Sequence, residues 1–459
     1  MVAIVTDALK QQIADLIFQE ADNSTDSDEF FIGIGKADAY DSSDTVATPV
    51  RTTKEEREAR NNLQSVKKVT GQSFVIPRYN WTSGGIYNAW SDEFVGIPSN
   101  TYYVMTEDNE VYICLQQGKN AAGQANQSTV KPSYTDAGVN EIRAFRTSDG
   151  YVWKLVYAIS AARANTFLSS TFIPIQDVSK DSASANAFEL QQLNIKNSTR
   201  PGAIVGVEIE QGGTGFTSAP TITINGNGTG AAATATISGN TIVKVEMNNE
   251  SAGLGSGYDY ASISLSGGGG SGASLRPIIG PREGIGHSAI ADLKASSIMF
   301  NIKPSGAEND TFNITNDFRQ ILLLKNVEQS DSDTAGIRFK GSSSKAQRFL
   351  TINGTISTAG FVVDETMTGG TSGATAFVDE LDSAGGNKIF FHQNANNIAG
   401  DFSDGETITG SGSGSATVDS AVKASAVDPH SGDLLYIENR ARVIRSSAQT
   451  EDIKVIITV

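Results

Sequence analysis

The chain has one cysteine, Cys114, and only three histidines, His287, His392 and His430, spread over 459 residues. A single thiol cannot build an intramolecular disulfide framework or a cysteine-based zinc cluster. Three scattered imidazoles leave little for a histidine-dependent metal site. Basic residues are also scarce, 35 Lys and Arg against 51 Asp and Glu, for a formal net charge of -16. Nucleic-acid phosphates need a basic surface, so no nucleic-acid partner is expected. No apolar run approaches the ~18 residues of a transmembrane helix, so no membrane insertion is expected. Residues 1–7 lack the basic start of a signal peptide, and their apolar run stops early. The expectation is a chain made and kept in a cytoplasm. Sequons such as Asn23, Asn197, Asn227 and Asn313 then meet no glycosylation machinery.

What is abundant is the vocabulary of strands and turns. Gly numbers 46, with Ser, Thr and Asn in excess, and hydrophobic residues make up 39%, enough for a core. Length alone suggests about three domains. Near the start, Leu9, Ile13, Leu16 and Ile17 recur on one face and predict a helix over 7–21. Phe30-Phe31-Ile32-Gly33-Ile34-Gly35 reads as a short buried strand. Thr53 with Glu56 has capping-box spacing and predicts a second helix, with Lys67-Lys68 at its basic end. Segments 101–106 and 110–115 flank Glu107-Asp108-Asn109 as a hairpin. Tyr151, Trp153, Leu155, Tyr157 and Ile159 alternate after Asp149-Gly150, a long strand with an aromatic face suited to a core or an interface.

Two segments repeat internally. In 203–283, Val207-Glu208, Gly215-Phe216 and Thr221-Ile222-Thr223-Ile224 return as Val245-Glu246, Gly257-Tyr258 and Ser262-Ile263-Ser264-Leu265, with a period of roughly 40. In 341–426, Phe361 and Glu365-Thr366-Met367-Thr368-Gly369 return 41 positions on as Phe402 and Glu406-Thr407-Ile408-Thr409-Gly410. Ser372-Gly373 returns as Ser413-Gly414. Each repeat predicts a small β module with paired halves.

Catalytic patterns fail in context. Gly267, Gly269 and Gly272 match a dinucleotide fingerprint by letter, but Pro277 and Pro281 stand where a helix should open. Ser342 and Lys345 have a penicillin-binding-type spacing without its partner motifs. Asp22, Asp26, Asp28 and Glu29 lack the Gly and Glu of a calcium loop, and with Asp331-Ser332-Asp333 they read as solvated acidic loops. Carboxylate pairs of a glycoside hydrolase leave no local signature, and nothing positive supports them. His430, among turn residues, reads as a turn or strand-edge hydrogen-bonding group, and Cys114 as a buried inert thiol. No catalytic, metal or cofactor residue is assigned.

Several blocks nevertheless have a familiar order. Val75-Ile76-Pro77-Arg78 followed by Trp81, then Asp149-Gly150-Tyr151-Val152-Trp153, then Phe318-Arg319-Gln320, resemble blocks of the small dimeric baseplate wedge subunit (gene product eight) of T4-like contractile-tail phages. The C-terminal block is the most specific: His430-Ser431-Gly432, Tyr436, Glu438-Asn439-Arg440, Thr450-Glu451 and an apolar end. Ala3-Ile4-Val5-Thr6, Tyr112 and Cys114-Leu115 add weaker agreement. The resemblance covers 1 to about 200, about 284–340 and 427–459, and both repeats look like insertions into that frame.

The resemblance implies a mainly β, multi-domain protein with some α structure: an α/β domain, β-sandwich-like domains and two small inserted β modules. The map it suggests is 1–202 for the N-terminal core, 203–283 for the first insertion and 284–340 for further core strands. The second insertion follows at 341–426, and 427–459 completes the core. It implies a structural, non-enzymatic subunit: a homodimer bound to other wedge proteins in the virion baseplate, assembled in the host bacterial cytoplasm. Such a subunit takes part in the rearrangement that triggers sheath contraction. Pro77, Trp81, Asp149, Gly150, Tyr151, Trp153, His430, Ser431, Gly432 and Asn439 then read as fold determinants. Arg78, Glu438 and Arg440 read as candidates for paired charges at a domain or dimer interface. The competing expectation is a tail protein that binds glycans or a host surface, with exposed Phe216, Tyr258 and Tyr260 as sugar platforms.

Overall fold

The structure is a computed structural model of the chain. It describes residues 4–22, 28–95, 101–134, 142–176, 178, 183–248, 250, 252–308, 310–312, 314–330, 336–446 and 448–459. Ala3, Asn23, Asp26, Asn313 and Asp331-Ser332-Asp333 lie outside the described residues. Strands hold 40% of the chain and helices 12%, so the class is mainly β, with several sheets and a small barrel. Two compact units form: Met1–Phe18, Ser73–Met299 and Thr458–Val459 in one, Gln19–Gln72 and Phe300–Ile457 in the other.

In the first unit, the predicted hairpin forms from Tyr103–Met105 and Glu110–Gln116. Val152–Ala158 pairs with the second of these strands, and Phe145–Arg146 completes a four-stranded sheet. Alternation in 151–159 suggested one buried face, yet all seven residues of Val152–Ala158 are buried. Trp153 and Leu155 on the aromatic face pack with Tyr87, Tyr112 and Ile195, and Val152, Lys154 and Val156 on the other face are buried too, so both faces of the strand lie inside the protein. Helix α1 (Asp7–Asp22) forms where the spacing places it, but it buries a different face. Ala14 is fully buried and Phe18 stacks on Phe74 at 5.0 Å, whereas Leu9, Ile13 and Leu16 are 46%, 39% and 61% exposed.

The first repeat folds as a nested antiparallel ribbon. Ile204–Thr214 pairs with Ser271–Ile279, Thr221–Gly226 with Ala261–Ser266, Thr229–Ala231 with Leu254–Ser256, and Ala233–Ser238 with Thr241–Met247. The offset between copies is 42 residues (Phe216 to Tyr258, Gly228 to Gly270). Each aromatic ring covers the other copy's glycine. A Cβ on Gly270 would lie 2.4 Å from the Phe216 ring, and one on Gly228 2.4 Å from the Tyr258 ring. Around Phe216, the residues Ala235 and Ile242 form a thin buried core, with Ile209, Ile222 and Leu265 partly buried against it.

In the second unit, five strands form an antiparallel sheet in the order Ser343–Lys345, Leu63–Lys68, Phe30–Gly35, Phe318–Lys325, Asp433–Val443. Phe30–Gly35 is buried throughout, as its unbroken apolar run predicts. Helix α2 (Thr53–Asn61) starts one residue earlier than the capping-box spacing suggests, because the Thr52 hydroxyl accepts the Glu55 N–H, and it stops at Asn61, so Lys67-Lys68, expected at its basic end, lie instead in the strand Leu63–Lys68.

The second repeat closes into a six-stranded barrel: Arg348–Ile352, Lys388–His392, Thr375–Leu381, Thr366–Gly369, Thr407–Gly410 and Ser415–Lys423. Leu350, Met367, Val378, Ile389, Phe391, Ile408 and Val418 fill it. The repeats meet symmetrically. Met367 pairs with Gly410, Thr368 with Thr409 and Gly369 with Ile408, so a pseudo-two-fold axis passes between Thr368 and its own counterpart Thr409. The repeated glutamates cross that axis. Glu406 accepts the Thr371 and Ser372 N–H groups, each at 2.9 Å, and Glu365 accepts the Gly412 N–H at 2.9 Å. Gly369 and Gly410 leave room for them: a Cβ at either would fall within 2.8 Å of the opposing carboxylate.

Candidate functional site

The residues singled out by sequence gather into two clusters, one in each unit. In the first, the Asp149 carboxylate organises the loops around the aromatic strand. Its Oδ2 accepts from Ser128 Oγ at 3.2 Å, Thr129 N at 2.8 Å and Val130 N at 3.0 Å, and its Oδ1 accepts from Thr147 Oγ1 at 2.5 Å. Burial works against the charge. The Thr147 hydroxyl and the Val130 and Thr129 amides still hold Asp149 below the usual carboxylate range. Trp81 Nε1 donates to the same Ser128 Oγ at 3.0 Å, which joins two blocks remote in sequence. Gly150, at φ +91°, makes the turn that returns the chain to Tyr151. Trp153 stacks on Tyr151 with centroids 5.6 Å apart, and Tyr87 meets Trp153 edge-on at 5.6 Å. Pro77 ends the strand paired with Phe172–Pro174, and its carbonyl accepts the Tyr103 hydroxyl at 2.6 Å. Arg78 donates to Ser169 O at 2.8 Å and Asn80 Oδ1 at 2.9 Å.

The second cluster brings the Phe318-Arg319-Gln320 block onto the C-terminal block. Gln320 Nε2 donates to Asn439 Oδ1 at 2.7 Å, and Asn439 Nδ2 donates to Ala47 O at 3.0 Å. Arg319 Nε lies 2.8 Å from Asp44 Oδ1. The Tyr40 hydroxyl donates to Arg319 O at 2.5 Å and accepts the Arg440 N–H at 3.1 Å. Glu438 and Arg440 pair loosely with each other at 3.9 Å, both partly exposed, an arrangement worth little to stability. Ser431 Oγ donates to Asp428 O at 2.6 Å and accepts the Glu328 N–H at 2.7 Å. Gly432 sits at φ +62°, and a Cβ there would lie 2.4 Å from Lys325 O. His430 occupies a turn in which its N–H donates to Asp428 Oδ1 at 2.8 Å, and burial lowers its imidazole.

Two acidic side chains of the first loop, Asp28 and Glu29, are paired. Asp28 lies 2.7 Å from Lys325 Nζ, and Glu29 contacts Lys68 and, at 3.5 Å, Lys340. Among the described residues no three His, Cys, Asp or Glu side chains gather as metal ligands. Cys114 is fully buried, and burial pushes its thiol well up. The 267–272 glycines lead into the strand Ser271–Ile279, with no helix to face a phosphate. Phe216 and Tyr258 are 2% and 4% exposed, so neither is a sugar platform; only Tyr260, at 67%, is open. Their burial follows from the glycines that face them.

A charged group absent from the sequence-derived set lies where the barrel meets the sheet of its own unit. His392 is 3% exposed, with Nδ1 2.8 Å from Asp379 Oδ1 and Nε2 3.3 Å from Asp38 Oδ1. Burial would lower the imidazole, but the charges and hydrogen bonds of Asp379 and Asp38 override it and raise it to about 10. Burial raises the Asp379 carboxyl in turn, so the two groups share their proton as a pair, and while both Asp379 and Asp38 are ionised the imidazole carries a proton on each nitrogen. Burial also opposes charge on Asp38, but His392, Lys36 and Asn394 hold it well below the ordinary range. Asn394 Nδ2 adds a 2.8 Å bond to Asn62 Oδ1. No local pattern announces this group, because its members come from separate strands and loops. Beside it, a cavity of about 550 Å³ is lined by Arg60, Gln347, Arg348, Asp428 and His430. Both arginines are already engaged, Arg60 by the Ser431 and Gly432 carbonyls at 2.6 and 2.8 Å, Arg348 by Asp401 at 3.0 Å.

No protein-family model matches the chain, and no curated protein matches it. The functional reading therefore stands on the residues and their geometry.

Proposed function

We propose that the chain is a structural subunit of a phage tail baseplate wedge. In this reading it pairs as a homodimer in the virion, joins neighbouring wedge proteins and takes part in the rearrangement that triggers sheath contraction. The observation that carries the reading is the convergence of the resembling blocks. Phe318-Arg319-Gln320 is bonded to Glu438-Asn439-Arg440 through Gln320 and Asn439, and Trp81 is bonded to Asp149 through Ser128. Blocks that determine a shared fold should meet in space, whereas chance matches scatter. The polar groups in these clusters are spent on holding loops and strands, as suits a subunit that works through interface free energy rather than chemistry.

Antibody labelling of purified tailed particles, viewed by negative-stain microscopy, tests the assignment. Label on the sixfold plate at the sheath end is expected. Label confined to the head or to fibre tips overturns it.

A further inference from the structure

Five of the seventeen large hydrophobic side chains exposed among the described residues fall within 4–16: Ile4, Val5, Leu9, Ile13 and Leu16. On α1 the last three follow the four-then-three spacing of a helix–helix seam. The helix is not loosely placed. Its opposite side carries buried Ala14 and the Phe18–Phe74 stack, Gln11 Nε2 donates to Ile290 O at 3.4 Å, and Asp7 meets Lys294 at 3.2 Å. An amphipathic helix thus satisfies its small side within the chain and turns its large apolar stripe outward. A contiguous apolar patch of that kind marks an interaction surface.

We propose that two copies of this chain pair through the α1 stripe, antiparallel about a two-fold axis near Ile13. This rests on the homodimer reading above and gives that dimer its contact. The stripe is palindromic, Leu9-Ile13-Leu16, so antiparallel pairing sets Leu9 against the partner's Leu16 and the two Ile13 side chains close to the axis. Self-complementarity of this kind is what a two-fold interface needs. Gln12 flanks the seam, and Asp7 and Asp15 lie off it; Glu20, the next position of the row, is paired with Lys325 at 2.7 Å, so two chains of net charge -16 meet through a Leu9–Leu16 stretch that carries no charge of its own.

The test uses the full chain in sedimentation velocity at micromolar concentration. A dimer is expected for the wild type, and the double variant Leu9→Glu, Leu16→Glu should dissociate at least 100-fold more readily with unchanged circular dichroism and melting. Cys114 is buried, so Ile13→Cys supplies the one accessible thiol and should cross-link two copies under mild oxidation, whereas Asp15→Cys should not. A wild-type dimer that survives the double substitution and gives no Ile13→Cys cross-link overturns this contact and leaves the homodimer reading standing. A wild type that sediments as a monomer overturns both.

Discussion

The two duplicated modules solve one packing problem in different ways. Both set two copies about a pseudo-two-fold axis, and both press a bulky group of one copy onto a glycine of the other. In the 204–279 ribbon the bulky groups are aromatic, Phe216 on Gly270 and Tyr258 on Gly228. In the barrel they are carboxylates, Glu406 beside Gly369 and Glu365 beside Gly410. The barrel also closes its sheet, so that each strand has two neighbours, and buries a continuous apolar filling. The ribbon stays as separate strand pairs whose outward positions are Thr, Ser and Asn, such as Thr221, Thr223 and Ser264. Stability in the barrel is therefore spread over core, charges and closure. In the ribbon it is concentrated in two rings.

The largest effect should come from the barrel's charged attachment. Removing one member of a buried ion group leaves the others uncompensated and costs about 3–5 kcal/mol. His392→Ala should lower stability by that amount in urea unfolding; a loss below about 1 kcal/mol would show that the imidazolium does not hold the carboxylates. The pH dependence has a definite sign. His392 titrates in the folded chain near 10, above the ~6.5 of a free imidazole, so its stabilisation is complete below about pH 6.5 and fades as pH rises towards 10. Asp38 is depressed, so its share is present above about pH 4 and is lost in acid.

Next in size is the ribbon's aromatic lock. Phe216→Ala should cost about 3–4 kcal/mol, because a buried ring is lost from a core too thin to close over it. Hydrogen exchange distinguishes the two modules: amides in 204–279 should lose protection while those of the barrel keep theirs. Equal loss in both would mean that the ribbon has no stability of its own to lose.

Much of this architecture could be read from sequence, and the failures share a cause. The hairpin at 103–116, the Phe30–Gly35 strand and both duplications were visible because their signals are local: turn residues, unbroken apolar runs, recurring letters. What could not be read was which face pairs with what. Alternation in 151–159 suggested one buried face; Tyr87 and Phe145 cover that aromatic face, and Val152, Lys154 and Val156 on the other side are buried as well. The α1 stripe has the signature of a core face, and the core takes Ala14 and Phe18 instead. Phe216 and Tyr258 looked like platforms because the glycines facing them come from the other copy. His392 gave no signal, since its charge state depends on Asp38, hundreds of residues away.

The smallest effect tests the barrel's symmetry. Glu406 and Glu365 are equivalent by sequence, but the structure loads them unequally. Glu406 accepts four hydrogen bonds, from Thr371 N, Ser372 N, Ser372 Oγ and Ser403 N; Glu365 accepts two, from Gly412 N and Val362 N. Hydrogen bonds to a charged acceptor contribute about 1.5–3 kcal/mol where deletion strands a donor, and less where water can reach the freed groups. Glu406→Gln should therefore cost about 2 kcal/mol and Glu365→Gln about 1 kcal/mol, read as shifts in the urea midpoint at constant slope. Burial opposes the Glu406 charge, yet the Ser372, Ser403 and Thr371 amides hold it below the usual glutamate range. Its contribution is then present above about pH 4.3 and declines as pH falls, so the difference between Glu406→Gln and wild type should shrink in acid. Equal costs for the two variants would mean that the duplicated halves carry their turns alike, and that the extra bonds on Glu406 add nothing to the closure of the barrel.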